Sequence, residues 1–150
     1  MEAVSIRPRT ILSPLQAADR AAAFQEIVLH LVQSGLLPAD QKEEVLELLE
    51  ARERKLSTAI GNGLALPHAA IPKLPAAITA LAVSPSGITA ESPDGQPVRL
   101  FYFLLIPAED YALHLRTVAA VTRFFRTPGI FEKLHAAPDG PSLLALFPAA

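Results

Sequence analysis

The chain has no cysteine, which excludes disulfides and thiolate metal ligands and suits the reducing cytoplasm. Its first residues, Met1-Glu2-Ala3-Val4-Ser5-Ile6-Arg7-Pro8-Arg9, lack the apolar core of a secretory signal, and no apolar run approaches the ~20 residues that span a bilayer. The expectation is a chain that is not membrane-embedded. An excess of charge of one sign is also missing. Thirteen basic against fifteen acidic residues leave a formal net charge of −2, and the basic residues are scattered, so nucleic acid is not an expected partner. There is no Gly-x-x-x-x-Gly-Lys-Ser/Thr loop for direct use of ATP and no Gly-x-Ser-x-Gly elbow for acyl hydrolysis. A His-x-x-x-His or clustered-carboxylate pattern is lacking too. No metal and no cofactor is expected, and the donor of any phosphoryl group is expected to be another protein.

What is present is apolar. At 51% hydrophobic residues and a mean hydropathy of +0.32, residues 1–150 are read as one domain with its core from about 10 to 147. Thr10-Ile11-Leu12 reads as a short strand. Phe24, Ile27, Val28, Leu31 and Val32 form one helical stripe that Gly35 ends. Asp40-Gln41-Lys42-Glu43 has the form of a capping box opening a second helix, whose Val45, Leu46, Leu48 and Leu49 lead to Arg52. Later, Ile78–Val83 and Gly87-Ile88-Thr89 read as linked strands across a Pro/Ser/Gly turn. After Pro93-Asp94-Gly95, Val98–Ile106 is nearly continuous in apolar and β-favouring residues, as in a central strand covered on both faces, and Pro107 stops it. Three helices are expected to cover the sheet: one from about Asp110 to Arg126, one capped by Thr127 with Pro128 in its first turn, and one from Pro141 to Phe147, before a loose Pro148-Ala149-Ala150 end. The fold class is α/β (α+β), a mixed sheet flanked by helices.

The most constrained stretch is Leu56-Ser57-Thr58-Ala59-Ile60-Gly61-Asn62-Gly63-Leu64-Ala65-Leu66-Pro67-His68-Ala69. Gly61, Asn62 and Gly63 all tolerate positive φ and allow a sharp turn before the short apolar run Leu64-Ala65-Leu66, which reads as a brief strand. Pro67 fixes its own φ and holds Leu66 extended, so His68 emerges at a defined place on a strand end. A rigid mount for one imidazole suits nucleophilic or phosphoryl-carrying chemistry; a turn followed by a strand that happens to end in histidine is the plainer account. In the helix Leu113–Phe125, steps of roughly 100° per residue put His114 on the stripe of Val118, Val121, Thr122 and Phe125, with Arg116 and Arg123 opposite. His114 is thus aimed at the sheet, either as a satisfied core histidine or as a site residue. From its place at a helix end alone, Arg52 reads as a surface charge. His30 and His135 are read as structural or surface residues.

Arg52-Glu53-Arg54-Lys55-Leu56-Ser57-Thr58 followed by Ile60-Gly61-Asn62-Gly63-Leu64-Ala65-Leu66-Pro67-His68 resembles the signature of enzyme IIA domains of the bacterial sugar phosphotransferase system, in the fructose/mannitol and nitrogen-regulatory (type 2) branch. The resemblance runs from about Ile11 to Phe147. It implies that His68 accepts a phosphoryl group from the carrier protein HPr through Nε2, its other ring nitrogen held by a backbone acceptor. It also implies that His114 and Arg52 stand beside it as phosphate-binding and catalytic partners, with Gly61, Asn62, Gly63 and Pro67 supporting the motif. The partners implied are an HPr-like donor and a IIB-type acceptor in a sugar relay, or a regulatory target protein selected by the phosphorylation state of His68. A domain that keeps the fold for assembly alone is a third reading, against which Arg52, His68 and His114 together argue. One departure is visible. Many relatives carry a small and then a polar residue after the histidine, whereas Ala69-Ala70-Ile71 is apolar until Lys73, which predicts an apolar rim around His68 and a different docking partner.

Overall fold

The computed structural model describes residues 5–148; Met1 to Val4 and the expected loose end at Ala149-Ala150 lie outside them. In chain order come strand β1 (Thr10–Leu12), helix α1 (Arg20–Gln33), one 3-10 turn (Ala39–Gln41) and helix α2 (Lys42–Lys55). Strands β2 (Ala59–Gly61), β3 (Leu64–Ala65), β4 (His68–Ile71), β5 (Ile78–Ile88) and β6 (Val98–Pro107) follow. Helices α3 (Tyr111–Phe125), α4 (Ile130–Ala136) and α5 (Gly140–Ala145) complete the chain. The strands form one mixed sheet in the order β1-β5-β6-β3-β2, with β4 also paired to β6. β5 runs antiparallel to β6, whereas β3 and then β4 lie parallel to β6 along its other edge.

The central place of β6 follows from its residues. Phe101, Phe103 and Leu105 pack with Phe24, Ile27, Val28 and Leu31 of α1 and with Val45 and Leu49 of α2. The alternate residues Leu100, Tyr102, Leu104 and Ile106 pack with Val121 and Phe125 of α3, and with Leu134 and Leu143 of α4 and α5. A strand buried on both faces has no polar side to alternate with, and hence reads as a continuous apolar run. The amino-terminal segment is tied down by Tyr102, whose hydroxyl donates to the Ile6 carbonyl at 2.6 Å. A hydrogen bond of 2.7 Å between Thr10 Oγ1 and His30 Nε2 joins β1 to α1, so His30 is structural.

Three expected boundaries are corrected. Asp40 caps nothing: the chain makes a 3-10 turn over Ala39–Gln41, α2 starts at Lys42, and no side chain bonds its first N–H groups. Gln41 instead donates its amide to the Pro72 carbonyl at 2.9 Å. Thr127 is not the cap of α4, because Gly129 at φ +77° breaks the helical path and the helix begins after it, at Ile130. The two linked strands expected around residue 85 are a single bent strand, β5, whose register with β6 shifts between Val83 and Ile88. Gly87 at φ +83° lies within that shift, where an irregularity bends a strand without ending it. The brief strand expected at Leu64-Ala65-Leu66 is β3, and β2, paired to it as a hairpin, is an addition to the expected elements.

Candidate active site

His68 opens β4 directly after Pro67, and its register partner on β6 is Leu104. Parallel partners share a face of the sheet, so the imidazole stands on the α3 side, where a cavity of about 40 Å³ lined by Leu66, His68, Tyr102, Leu104 and Val118 abuts it. The ring is half-buried. His68 Nδ1 lies 2.8 Å from the Leu66 carbonyl oxygen. A carbonyl only accepts, so Nδ1 carries the proton and the neutral ring keeps its lone pair on Nε2. Pro67 contributes by omission. It has no N–H, and its carbonyl accepts from Leu104 N–H at 3.0 Å, which locks the step between β3 and β4 onto β6.

His114 comes from the first turn of α3, capped by Asp110, which accepts from Leu113 N–H at 2.9 Å. Its ring meets that of His68 edge to face, centroids 6.3 Å apart at 76°. The exposed Tyr111 ring also stacks with that of His114, at 6.3 Å and 25°. Arg52, in the last turn of α2, donates from Nη1 to the Leu56 carbonyl at 3.1 Å and is close enough for its charge to act on His68. The three residues singled out in the sequence therefore converge from α2, β4 and α3.

Burial holds the His68 pKa below the ordinary histidine value; the bond to the Leu66 carbonyl works against this, Arg52 and His114 work with it, and Glu53 opposes them. The imidazole is then neutral, and nucleophilic, to a lower pH than a free histidine of pKa ~6.5. The folded chain takes up this proton at lower pH than the unfolded chain. The site's contribution to stability is therefore complete above about pH 6.5 and is lost as pH falls through the folded midpoint. A histidine-resolved NMR titration is expected to give His68 a midpoint below that of an unstructured histidine; one at or above ~6.5 contradicts the geometry.

Gly61, Asn62 and Gly63 have φ of +94°, +57° and +75°, as expected, but they lie at the β2–β3 tip and do not touch the His68 ring. At ~3.3 Å per residue, Gly63 is about 16 Å along the strand from His68. The tip is clamped from outside. Asp94 Oδ2 accepts from Asn62 N–H at 2.8 Å, which with bonds from Gln96 N–H and the Ser92 hydroxyl holds the Asp94 pKa below its usual value. His135 Nε2 donates to the Asn62 carbonyl at 2.6 Å. A Cβ on Gly63 would stand 3.0 Å from the His135 ring, so His135 is structural as well.

The apolar rim predicted from Ala69-Ala70-Ile71 is not there. Ala69 and Ile71 sit in the core under α1 and α2, and Ala70 alone is exposed; strand alternation turns two of the three inward. Exposed apolar side chains near the site are instead Leu56, after Arg52, and Tyr111 and Leu115, on either side of His114. Sequence reading also passed over Glu53, which is 5% exposed and continues the buried stripe Val45, Leu49 of α2 at four-residue steps. A carboxylate on an apolar stripe was the available signal. Among the described residues, no group of three His, Asp or Glu side chains is placed to hold a metal ion, and no helix is long and apolar enough to cross a membrane.

The family model described as "Phosphoenolpyruvate-dependent sugar phosphotransferase system, EIIA 2" matches residues 5–149. A nitrogen regulatory protein of Bradyrhizobium diazoefficiens is 36% identical over 147 residues, covering 96% of this chain and 94% of the relative. A PTS system fructose-specific EIIA component of Haloferax volcanii is 30% identical over 117 residues, covering 78% of this chain and 75% of the relative. Among solved structures, the nitrogen regulatory protein IIA-Ntr of Neisseria meningitidis superposes with a TM-score of 0.78 at 28% identity, covering 91% of each chain. With the mixed sheet and flanking helices described above, these matches place the chain in the EIIA 2 family of the phosphoenolpyruvate-dependent sugar phosphotransferase system.

Proposed function

We propose that residues 1–150 act as one phosphocarrier unit in which Nε2 of His68 accepts a phosphoryl group from an HPr-like protein and passes it to a IIB-type partner. The observation that carries this reading is the 2.8 Å bond from His68 Nδ1–H to the Leu66 carbonyl, which leaves the ring's lone pair on Nε2. In the transfer that lone pair forms a bond to phosphorus as the bond from phosphorus to the donor's own phosphorylated nitrogen breaks. The electron pair of the broken bond stays on the donor, and the His68 proton stays on Nδ1, donated to the Leu66 carbonyl. Imidazole is both a good nucleophile and a good leaving group, so the same step runs backwards towards an acceptor. What remains for the protein is to orient the group and to aim donors at its equatorial oxygens. Arg52 supplies a forked guanidinium and His114 a ring N–H. Because the donor is a protein of the cytoplasm, the carrier works there too.

The test is intact mass after incubation with phosphoenolpyruvate, enzyme I and HPr of the same host, followed by mild acid. One acid-labile phosphoryl group per chain is expected; none with the host's own carrier overturns the reading. Arg52→Ala is expected to slow uptake by about 10²-fold, the effect of removing one strong donor from a developing charge, while leaving the fold intact because the Arg52 side chain is partly exposed. Rapid-quench rates with phosphorylated HPr are the check.

A second reading is supported by the full-length match to a protein named as a nitrogen regulatory protein. In it the phosphorylation state of His68 selects a target protein, and no sugar is moved. Loss of the group to a IIB protein separates the two: transfer supports the relay, and a stable phosphorylated chain that changes its binding to a target supports regulation.

A further inference from the structure

Glu53 is the charged side chain that the described core buries, at 5% exposure, and the chemistry above makes no use of it. A carboxylate taken out of water is costly unless it is partnered. Thr58 partners both oxygens, donating its backbone N–H to Oε2 at 2.9 Å and its hydroxyl to Oε1 at 2.8 Å. The path continues from there. The Thr58 carbonyl accepts from Leu66 N–H at 3.0 Å, and the Leu66 carbonyl accepts from His68 Nδ1–H at 2.8 Å. Two residues before Thr58, the Leu56 carbonyl accepts from Arg52 at 3.1 Å. The corner at Leu56–Thr58 thus holds the nucleophile's ring on one side and the guanidinium on the other, and Glu53 holds the corner.

The geometry points to Glu53 as a positioning residue for phosphoryl transfer: its carboxylate fixes the Leu56–Thr58 corner from which Arg52 and, through Leu66, the Nδ1 side of His68 are suspended. This assignment rests on the phosphocarrier reading and deepens it. Two consequences differ in kind. The hydrogen bonds set geometry, because a ring that loses a firm carbonyl partner can place its proton on either nitrogen, and Nε2 then no longer always offers a lone pair. The charge sets proton affinity. Of the groups facing the ring, Arg52 from α2 and His114 from α3 disfavour a proton, Glu53 from α2 favours one, and Leu66, Tyr102, Leu104 and Val118 on the remaining sides are uncharged.

The experiment compares wild type, Glu53→Gln and Glu53→Ala in the full chain, reading the uptake rate from phosphorylated HPr per folded molecule and the tautomer and titration midpoint of His68 by ¹⁵N NMR. Glu53→Gln keeps an acceptor for Thr58 N–H and removes the charge, so the Nδ1–H tautomer is retained while the His68 midpoint moves lower than in wild type. Glu53→Ala removes both, so Nδ1–H is lost from part of the population and uptake falls by about 10- to 100-fold, as expected for a reacting group displaced by a fraction of an ångström to an ångström. A folded Glu53→Ala chain with unchanged tautomer, midpoint and uptake overturns the assignment. Should that variant fail to fold, Thr58→Val, which removes the hydroxyl bond to Glu53 Oε1, decides, and an unchanged His68 tautomer with unchanged uptake overturns the assignment. If wild type takes up no phosphoryl group, it is the phosphocarrier reading that fails, and the two NMR readouts still report whether Glu53 governs the His68 ring.

Discussion

His68→Ala takes up no phosphoryl group under conditions in which the wild-type chain is fully modified; this is the largest effect expected of any single substitution. No other side chain can stand in. His114 is the nearest alternative, its ring centroid 6.3 Å from that of His68, but among the described residues no carbonyl is bonded to either of its ring nitrogens to fix one tautomer. His30 is committed to Thr10 and His135 to Asn62, far from the convergence of α2, β4 and α3. The fold should survive the change. β4 is held to β6 by backbone bonds with His68 opposite Leu104, the imidazole is only half-buried, and alanine is tolerated in a strand at a cost of at most ~1 kcal/mol. Intact mass with the acid-lability check, run beside circular dichroism, separates lost chemistry from lost structure. An acid-labile adduct retained on a folded His68→Ala chain would mean that another nitrogen is the acceptor.

The parts of this arrangement that sequence reading reached are those written in local pattern. Continuous burial of β6 follows from an apolar run without a polar alternate, and the inward aim of His114 follows from its stripe with Val118, Val121 and Phe125. Positive φ at Gly61, Asn62 and Gly63 follows from residue type. That Arg52, His68 and His114 meet was supplied by resemblance, because no periodicity links residues on α2, β4 and α3. Misses arose where a non-local partner or a special backbone conformation overrode the local signal. A capping-box pattern at Asp40 lost to a 3-10 turn, and Thr127 lost to Gly129, whose left-handed conformation moved the start of α4. The clamp of His135 on Asn62 spans 73 residues, and nothing near either residue announces the other. Ala69-Ala70-Ile71 was misread because the run was taken as surface, whereas in a strand only alternate residues can face outward.

The second large effect lies in the core and separates folding from chemistry. Phe103 is 1% exposed and Phe24 is fully buried; their rings meet edge to face at 5.4 Å and 78°, and Phe103 also stacks on Phe101 at 6.0 Å. Phe103→Ala removes the side chain at which α1 closes onto β6 and leaves a cavity that backbone-anchored neighbours can only partly fill. The expected loss is about 3–5 kcal/mol, a large share of the ~5–15 kcal/mol that holds a typical domain folded. Denaturant unfolding should show a lower midpoint with an unchanged slope; a loss under ~1 kcal/mol would mean that the α1 layer collapses to close the gap. Phe103 faces α1 and α2, whereas its neighbours Tyr102 and Leu104 face α3 and His68. Uptake per folded molecule should therefore stay near wild type in Phe103→Ala even as the folded fraction falls. The opposite dissociation is expected of His68→Ala. A sheet whose central strand gives one face to the core under α1 and α2 and the other to the site allows stability and phosphoryl transfer to be changed one at a time.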